Sequence, residues 1–174
     1  MEYLVVKFGG SVIEEIPNTV IEDIIELKQK RGIHPILVHG GGKKINQLLE
    51  TLKIPVRFSE GLRVTSQSVL EIAEMVLSGY MNKKLTAKIY QFGGKAFGMS
   101  GVDGKLLTAK PIKFDDLGFV GEITAVDGQI LQELCLKGYI PVISPISIDD
   151  DGQRLNVNGD KAAVAIAKEM KAGL

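Results

Sequence analysis

Lys7 stands two residues before Gly9-Gly10 in "VVKFGGSV", residues 5–12, and a second glycine run, Gly40-Gly41-Gly42, follows His39. Glycines let a backbone approach a bound group closely, and the N–H groups of such turns can converge on an anion. A lysine beside them adds a cation, so the chemistry within reach is the holding of a phosphate-like group. The lysine precedes its glycines, so the segment is not G-x-x-x-x-G-K-[ST]; it also fails G-x-G-x-x-G. A strand closing in a tight turn explains the same residues without a ligand. The third candidate is "LNVNGDKAAVAIA", residues 155–167. Asn156 and Asn158 alternate with Leu155 and Val157, so both amides can lie on one face of an extended segment. Asp160 then begins a helix. Near an anion site its carboxylate can fix a lysine ammonium without itself taking a proton; the plainer reading is an Asn or Asp N-cap with small core residues behind it.

The elements that must position these residues alternate along the chain. Leu4 to Lys7 reads as a strand, and apolar Val20, Ile21, Ile24, Ile25 and Leu27 mark a helix over about 19–31 that Gly32 stops. A second strand, Ile36 to His39, ends on the glycine triplet and precedes a helix over about 44–52. Residues 56–64 read as an extended pair turning at Glu60-Gly61. Thr65-Ser66-Gln67 resembles a cap, and the helix behind it continues to Tyr90 despite Gly79. That length exceeds what a small core needs, which suggests a partner subunit over one face. A short strand follows Gly93-Gly94, and Val102 to Glu122 suggests strands joined by turns, with Asp103-Gly104 separating two arms. Asp127 caps a helix to about Lys137, Tyr139 to Ser144 is a strand, and Ile146 to Ile148 reads as another. Asp149-Asp150-Asp151-Gly152 lacks the EF-hand spacing and reads as a solvated turn. The last helix is expected over about 160–171.

Strands alternating with helices of about ten to fifteen residues predict an α/β fold: an open, mainly parallel central sheet with helices on both faces. In such a sheet, ligands collect outside the carboxyl ends of the strands, where helix N-termini also point. Two neighbouring glycine turns could then hold two sides of one phosphoryl group.

Bulk composition excludes several classes. Lysine plus arginine equals aspartate plus glutamate, 21 each, so no global basic field argues for nucleic acid or an anionic membrane. The 45% hydrophobic and 24% charged content is that of an ordinary globular protein, and 174 residues fit one domain. The single cysteine, Cys135, falls in a helical apolar pattern and reads as a core residue. Two histidines without clustered cysteines leave no transition-metal site. No apolar run approaches the roughly 18 residues of a membrane span. The economical reading is a soluble, cytoplasmic protein.

The chain resembles the acetylglutamate kinases of the amino-acid kinase superfamily. The resemblance is carried by "KFGGSV" (7–12), "VHGGGKKIN" (38–46), "GLRVTSQSVLEIAEMVLSGYMNKKL" (61–85), "GVDG" (101–104), "GEI" (121–123) and "LNVNGDKAA" (155–163), in an order that spans essentially the whole chain. Each motif alone is shared with carbamate, uridylate or aspartate kinases; the combination of "GLRVT", "EMVLSG-x-x-NK" and "NVN-x-D" is specific. The resemblance implies that Lys7 contacts the transferred phosphoryl group, and that Gly10, Gly41 and Gly42 bracket it with backbone. It implies that Arg63 pairs with a substrate carboxylate, that Asn156 binds substrate with Asn158 beside it, and that Asp160 organises the catalytic lysines. Two departures are Lys43-Lys44 after the glycine triplet and Gly159 where alanine is usual.

The implied activity is phosphoryl transfer from ATP, with Mg2+, to the γ-carboxylate of N-acetyl-L-glutamate in arginine biosynthesis. The expected assembly is a homodimer through the 66–90 helix. The resemblance also places residues 1–174 as the N-terminal, acetylglutamate-binding and dimerisation domain. The family's C-terminal ATP-binding domain, with a second lysine, is then absent from this chain. The expectation is a fragment inactive by itself that binds neither ATP nor Mg2+ tightly. A kinase for a related N-acetylated aminoadipate, or a non-catalytic ligand-binding and dimerisation module, remains the alternative.

Overall fold

The computed structural model describes residues 1–13, 15–113 and 116–174. Its first strand, β1 (Glu2–Phe8), leads through the short α1 (Gly10–Ile13) to α2 (Asn18–Arg31), then β2 (Ile33–His39) and α3 (Gly42–Thr51). Gly32 ends α2 in the left-handed region at φ 67°, and its N–H reaches the Leu27 carbonyl, as expected of a C-terminal glycine. The hairpin β3 (Phe58–Ser59) and β4 (Leu62–Arg63) turns on Glu60 and Gly61, both at positive φ, the geometry of a two-residue hairpin loop.

The expected long helix is present but not uniform. It runs as α4 (Gln67–Glu74), a π-helical stretch (Met75–Met81) and α5 (Asn82–Gln91). Ser66 caps it, its hydroxyl accepting from the Val69 N–H. Beyond it lie β5 (Ala96–Ser100), β6 (Leu107–Pro111), β7 (Val120–Val126), α6 (Gly128–Leu136), β8 (Ile140–Ser144), β9 (Ile146–Ile148), β10 (Arg154–Val157) and α7 (Gly159–Met170). Asp127 caps α6 as expected, accepting from the Gln129 and Ile130 N–H groups.

Among the described residues, the central sheet has the order β1-β2-β8-β5, and every pairing in it is parallel. The alternation along the strands shows why. On β2, Leu37 belongs to one core layer and Ile36 and Val38 to the other; on β8, Ile140 and Val142 oppose Ile143. Both faces are apolar, so both need helices. One face is covered by α2, α3 and the long helix, the other by α6 and α7. Cys135 is buried in the second layer, as its helical pattern implied.

The strands expected over 102–122 do not join this sheet. Together β10, β7, β6 and β9 close a small mixed ring, in which β6 and β7 pair antiparallel. Asp103-Gly104 is not a turn between paired arms but part of a 3-10 turn. There Asp103 Oδ2 accepts from the Ser100 N–H and hydroxyl at 2.6 and 2.8 Å. Phe114 and Asp115, within the same stretch, lie outside the described residues. Asp149 closes the acidic turn on itself, accepting from the Asp151 and Gln153 N–H groups, and Asp150 pairs with Lys105. No helix among the described residues is long and apolar enough to cross a membrane.

Candidate functional site

The parallel register brings the first two glycine clusters together. Phe8 and His39 are the last paired residues of β1 and β2, and the Gly40 N–H continues the pairing to the Phe8 carbonyl at 3.0 Å. The turns beyond them pack backbone on backbone. A Cβ on Gly10 would lie 2.5 Å from the Gly41 Cα, and one on Gly41 would lie 2.7 Å from Leu77 Cδ2. Gly10 is required by contact, because no side chain fits between the two turns. The N-terminus of α3 opens directly from this junction.

The third cluster arrives from the small ring. Asn156 lies in β10 and Asn158 directly follows it, and Asn158 is the residue that caps α7: its Oδ1 accepts from the Asp160 and Lys161 N–H groups at 2.8 and 3.2 Å. Asp160 therefore neither begins nor caps the helix. It sits in the first turn, and its carboxylate takes Lys7 Nζ at 2.8 Å. The capping preference of Asn and Asp is nearly equal, so sequence left the choice open.

Arg63 comes from β4 and is largely buried. Its Nη2 donates to the Gly42 carbonyl at 3.3 Å, and its guanidinium lies 4.8 Å from the Phe58 ring centre. Nη1 is buried with no hydrogen-bond partner among the described residues. Burial lowers the pKa of this group from its usual value, yet a guanidinium stays cationic at neutral pH. A buried donor on a cation costs free energy until an acceptor meets it. Thr65, fully buried, links Arg63 to β10: its hydroxyl donates to the Arg63 carbonyl at 2.7 Å and accepts from Asn156 Nδ2 at 3.1 Å. Thr65 was within "GLRVT" but not singled out, because its role exists only once β4 and β10 are neighbours.

One cavity of about 240 Å³ joins these groups. Lys7, Gly10, Gly41, Gly42, Arg63, Asn156, Asn158 and Asp160 all line it, so every residue to which the resemblance gave a role meets the same space. Apolar walls come from Phe58 and Leu62 of the hairpin, Leu77 of the π-helical stretch and Val120 of β7. Two cations and the N-terminal ends of α3 and α7 face one carboxylate, which favours an anionic occupant. Among the described residues no cluster of histidine, cysteine, aspartate and glutamate could hold a metal ion.

Comparison with known proteins agrees with the resemblance. The chain is 47% identical over 174 residues to an acetylglutamate kinase of Oceanobacillus iheyensis, covering all of this chain and 66% of the relative. It is 47% identical over 164 residues to that of Geobacillus stearothermophilus, covering 94% of this chain and 63% of the relative. A crystal structure from Streptococcus mutans UA159 superimposes with a TM-score of 0.92 at 28% identity, covering 98% of this chain and 69% of that one. The chain thus spans just under two thirds of the length of these curated relatives. The model of the Amino acid kinase family matches residues 2–174, and the chain belongs to that family.

Proposed function

We propose that this chain carries the acceptor-substrate site of an acetylglutamate kinase, which transfers the terminal phosphoryl group of ATP to the γ-carboxylate of N-acetyl-L-glutamate. The single observation that carries the reading is the partnerless, buried Nη1 of Arg63 in the same cavity as the Lys7–Asp160 pair and the Gly10–Gly41 junction. Arg63 receives the α-carboxylate, where a planar guanidinium supplies two parallel donors that lysine would reproduce poorly. Asn156, held by Thr65, adds an amide beside it. A carboxylate is already ionised at neutral pH, so the acceptor needs no general base. The obstacle is repulsion between two anions, and Lys7 with the glycine N–H groups lowers it by meeting charge on the phosphoryl oxygens.

The phosphoryl end of the cavity suits such a group: the Gly10–Gly41 junction leaves no room for a side chain, and Lys7 supplies a cation. ATP with Mg2+ supplies the phosphoryl group itself; with no metal-ligand cluster among the described residues, the ion would enter on the nucleotide. The reading extends to a cytoplasmic homodimer that packs through the 66–90 helix, supported by the exposed Met75 and Tyr80 on that helix.

Calorimetry with acetylglutamate and glutamate tests the acceptor site. Acetylglutamate should bind more tightly, and Arg63→Ala should weaken it at least about tenfold, the loss expected for a hydrogen bond to a charged group. Equal affinity for both ligands, with no loss in the variant, would remove the proposed site. Turnover is read separately, by trapping the acyl phosphate with hydroxylamine in the presence of ATP and magnesium. A hydroxamate from glutamate or acetylaminoadipate but not from acetylglutamate would reassign the acceptor.

A further inference from the structure

His39 is fully buried at the end of β2, contributes no surface to the cavity, and immediately precedes the glycine turn. Its two ring nitrogens are both engaged: Nε2 lies 3.2 Å from Asn82 Nδ2, and Nδ1 lies 3.2 Å from the Gly40 carbonyl. Which nitrogen holds the proton follows from Asn82. Its Nδ2 also meets the carbonyls of Met99 and Val142 at 3.2 and 2.9 Å, while its Oδ1 accepts from Lys83 Nζ at 3.1 Å. Turning the amide over would set Oδ1 against two carbonyls and Nδ2 against an ammonium, so only one orientation satisfies this fully buried side chain. The Asn82 NH2 facing Nε2 can only donate and the Gly40 carbonyl facing Nδ1 can only accept, so the imidazole proton lies on Nδ1, directed at the Gly40 carbonyl.

The peptide that carries this carbonyl is planar and trans, so its N–H, that of Gly41, points the opposite way. Gly41 lines the cavity, and this N–H donates to no group among the described residues. Asn82 is in turn placed by the π-helical stretch that ends at Met81. The same stretch sets Leu77 and Met81 against Gly41 and Ser78 Oγ 2.7 Å from Ser144 Oγ. Insertions of this kind in α-helices recur at functional sites. Burial holds the His39 pKa down at about 4, the Gly40 hydrogen bond opposing and Lys83 assisting, so the ring is neutral at physiological pH.

We propose that Asn82 and His39 are positioning residues that hold the Gly40–Gly41 peptide with its N–H turned toward the phosphoryl end of the cavity. The phosphoryl role of that N–H rests on the kinase reading above; its direction does not.

The test uses the 15N-labelled chain with inorganic phosphate as the probe. Long-range proton–nitrogen spectra should show His39 protonated on Nδ1 and bare on Nε2 at pH 7, and phosphate should shift the Gly41 amide. His39→Asn can keep a donor at the Nδ1 position, whereas His39→Gln reproduces only the Nε2 position. The first should keep phosphate affinity within about threefold, while the second and Asn82→Ala should each weaken it about tenfold, one charge-assisted hydrogen bond. Packing loss alone would affect the two histidine variants alike, and thermal unfolding reports it independently. An Nε2-protonated ring, a Gly41 amide indifferent to phosphate, or equal phosphate affinity in both histidine variants would overturn the proposal. Failure of acetylglutamate to bind would count against the kinase reading and leave these outcomes standing.

Discussion

Asn158 and Asp160 divide two tasks that either residue type could perform, and the division is testable. Asn158 caps α7 and Asp160 pairs with Lys7 at 2.8 Å, with 69% of the aspartate side chain exposed. Asn158→Ala should therefore cost about 1 kcal/mol in urea unfolding, while Asp160→Asn should change stability by no more than about 0.5 kcal/mol. In an active enzyme the order reverses: Lys7→Ala or Asp160→Asn should reduce kcat by at least about tenfold, with a smaller change in KM for acetylglutamate. A second prediction concerns His39. Its folded pKa of about 4 lies below the usual 6.5 because burial disfavours the imidazolium. The unfolded chain binds the extra proton between those values, so the contribution is fully present above about pH 6.5 and is lost as pH falls through about 4. The loss approaches on the order of 3 kcal/mol, and burial of His34 acts in the same direction. Urea titrations at pH 7, 5 and 4 should show a decline that is shallower in His39→Asn; an unchanged slope would contradict it. Lys7, Asp160 and the paired asparagines were legible from residue type and spacing. The histidine was not, because its significance lies in partners 43 residues away.

At the scale of elements, the site depends on two turns sharing one space. Gly10→Ala places a Cβ 2.5 Å from the Gly41 Cα, a collision of backbone with backbone that no rotamer change relieves. The variant should be destabilised by about 1–3 kcal/mol, as for overpacking elsewhere, and should lose the phosphate response of the Gly41 amide. Gly79 offers the contrast. It lies in the π-helical stretch with open space where its Cβ would stand. Gly79→Ala should raise the stability of the isolated chain by about 0.5–1 kcal/mol, the helix-propensity difference; a loss would mean that the π geometry itself needs glycine. Periodicity located this long helix, and residue type placed its cap within Thr65-Ser66-Gln67, where the structure selects Ser66. Periodicity could not locate the π-helical stretch, because the apolar pattern does not say which carbonyl each N–H meets.

For the whole molecule, the exposed apolar and aromatic side chains of the long helix set the expectation. Met75 and Tyr80 are 61% and 47% exposed, and Lys44 and Lys84 each approach the Tyr80 ring, at 5.3 and 5.7 Å from its centre. Light scattering over a concentration series should report a dimer, and Tyr80→Glu with Met75→Glu should dissociate it without changing the circular dichroism of the fold. A monomer at tens of micromolar in the unmodified chain would refute the assembly. The Arg154–Glu74 ion pair ties β10 to the end of α4, so a dimer built on this helix would also brace the strand that bears Asn156. If so, acetylglutamate affinity should fall as the chain is diluted through its dissociation range, by linkage between assembly and binding.

Residue order alone determined the alternation of strands and helices, hence a parallel sheet apolar on both faces, and it determined the chemical inventory of the site. Each depends on local pattern: period 2 or 3.6 in the apolar residues, and glycine at strand ends. What tertiary structure decided was adjacency. Segment 102–122 had the composition of strands, but its closure into a ring with β9 and β10 depends on pairings between distant residues. That ring carries Asn156, Asn158 and Asp160 to the glycine turns at the ends of β1 and β2. Only the packed chain could decide which asparagine or aspartate caps α7, which carboxylate meets Lys7, and which donor of Arg63 stays without a partner. Hydrogen bonds and contacts act over a few ångströms, while these residues lie as much as 153 positions apart in the chain.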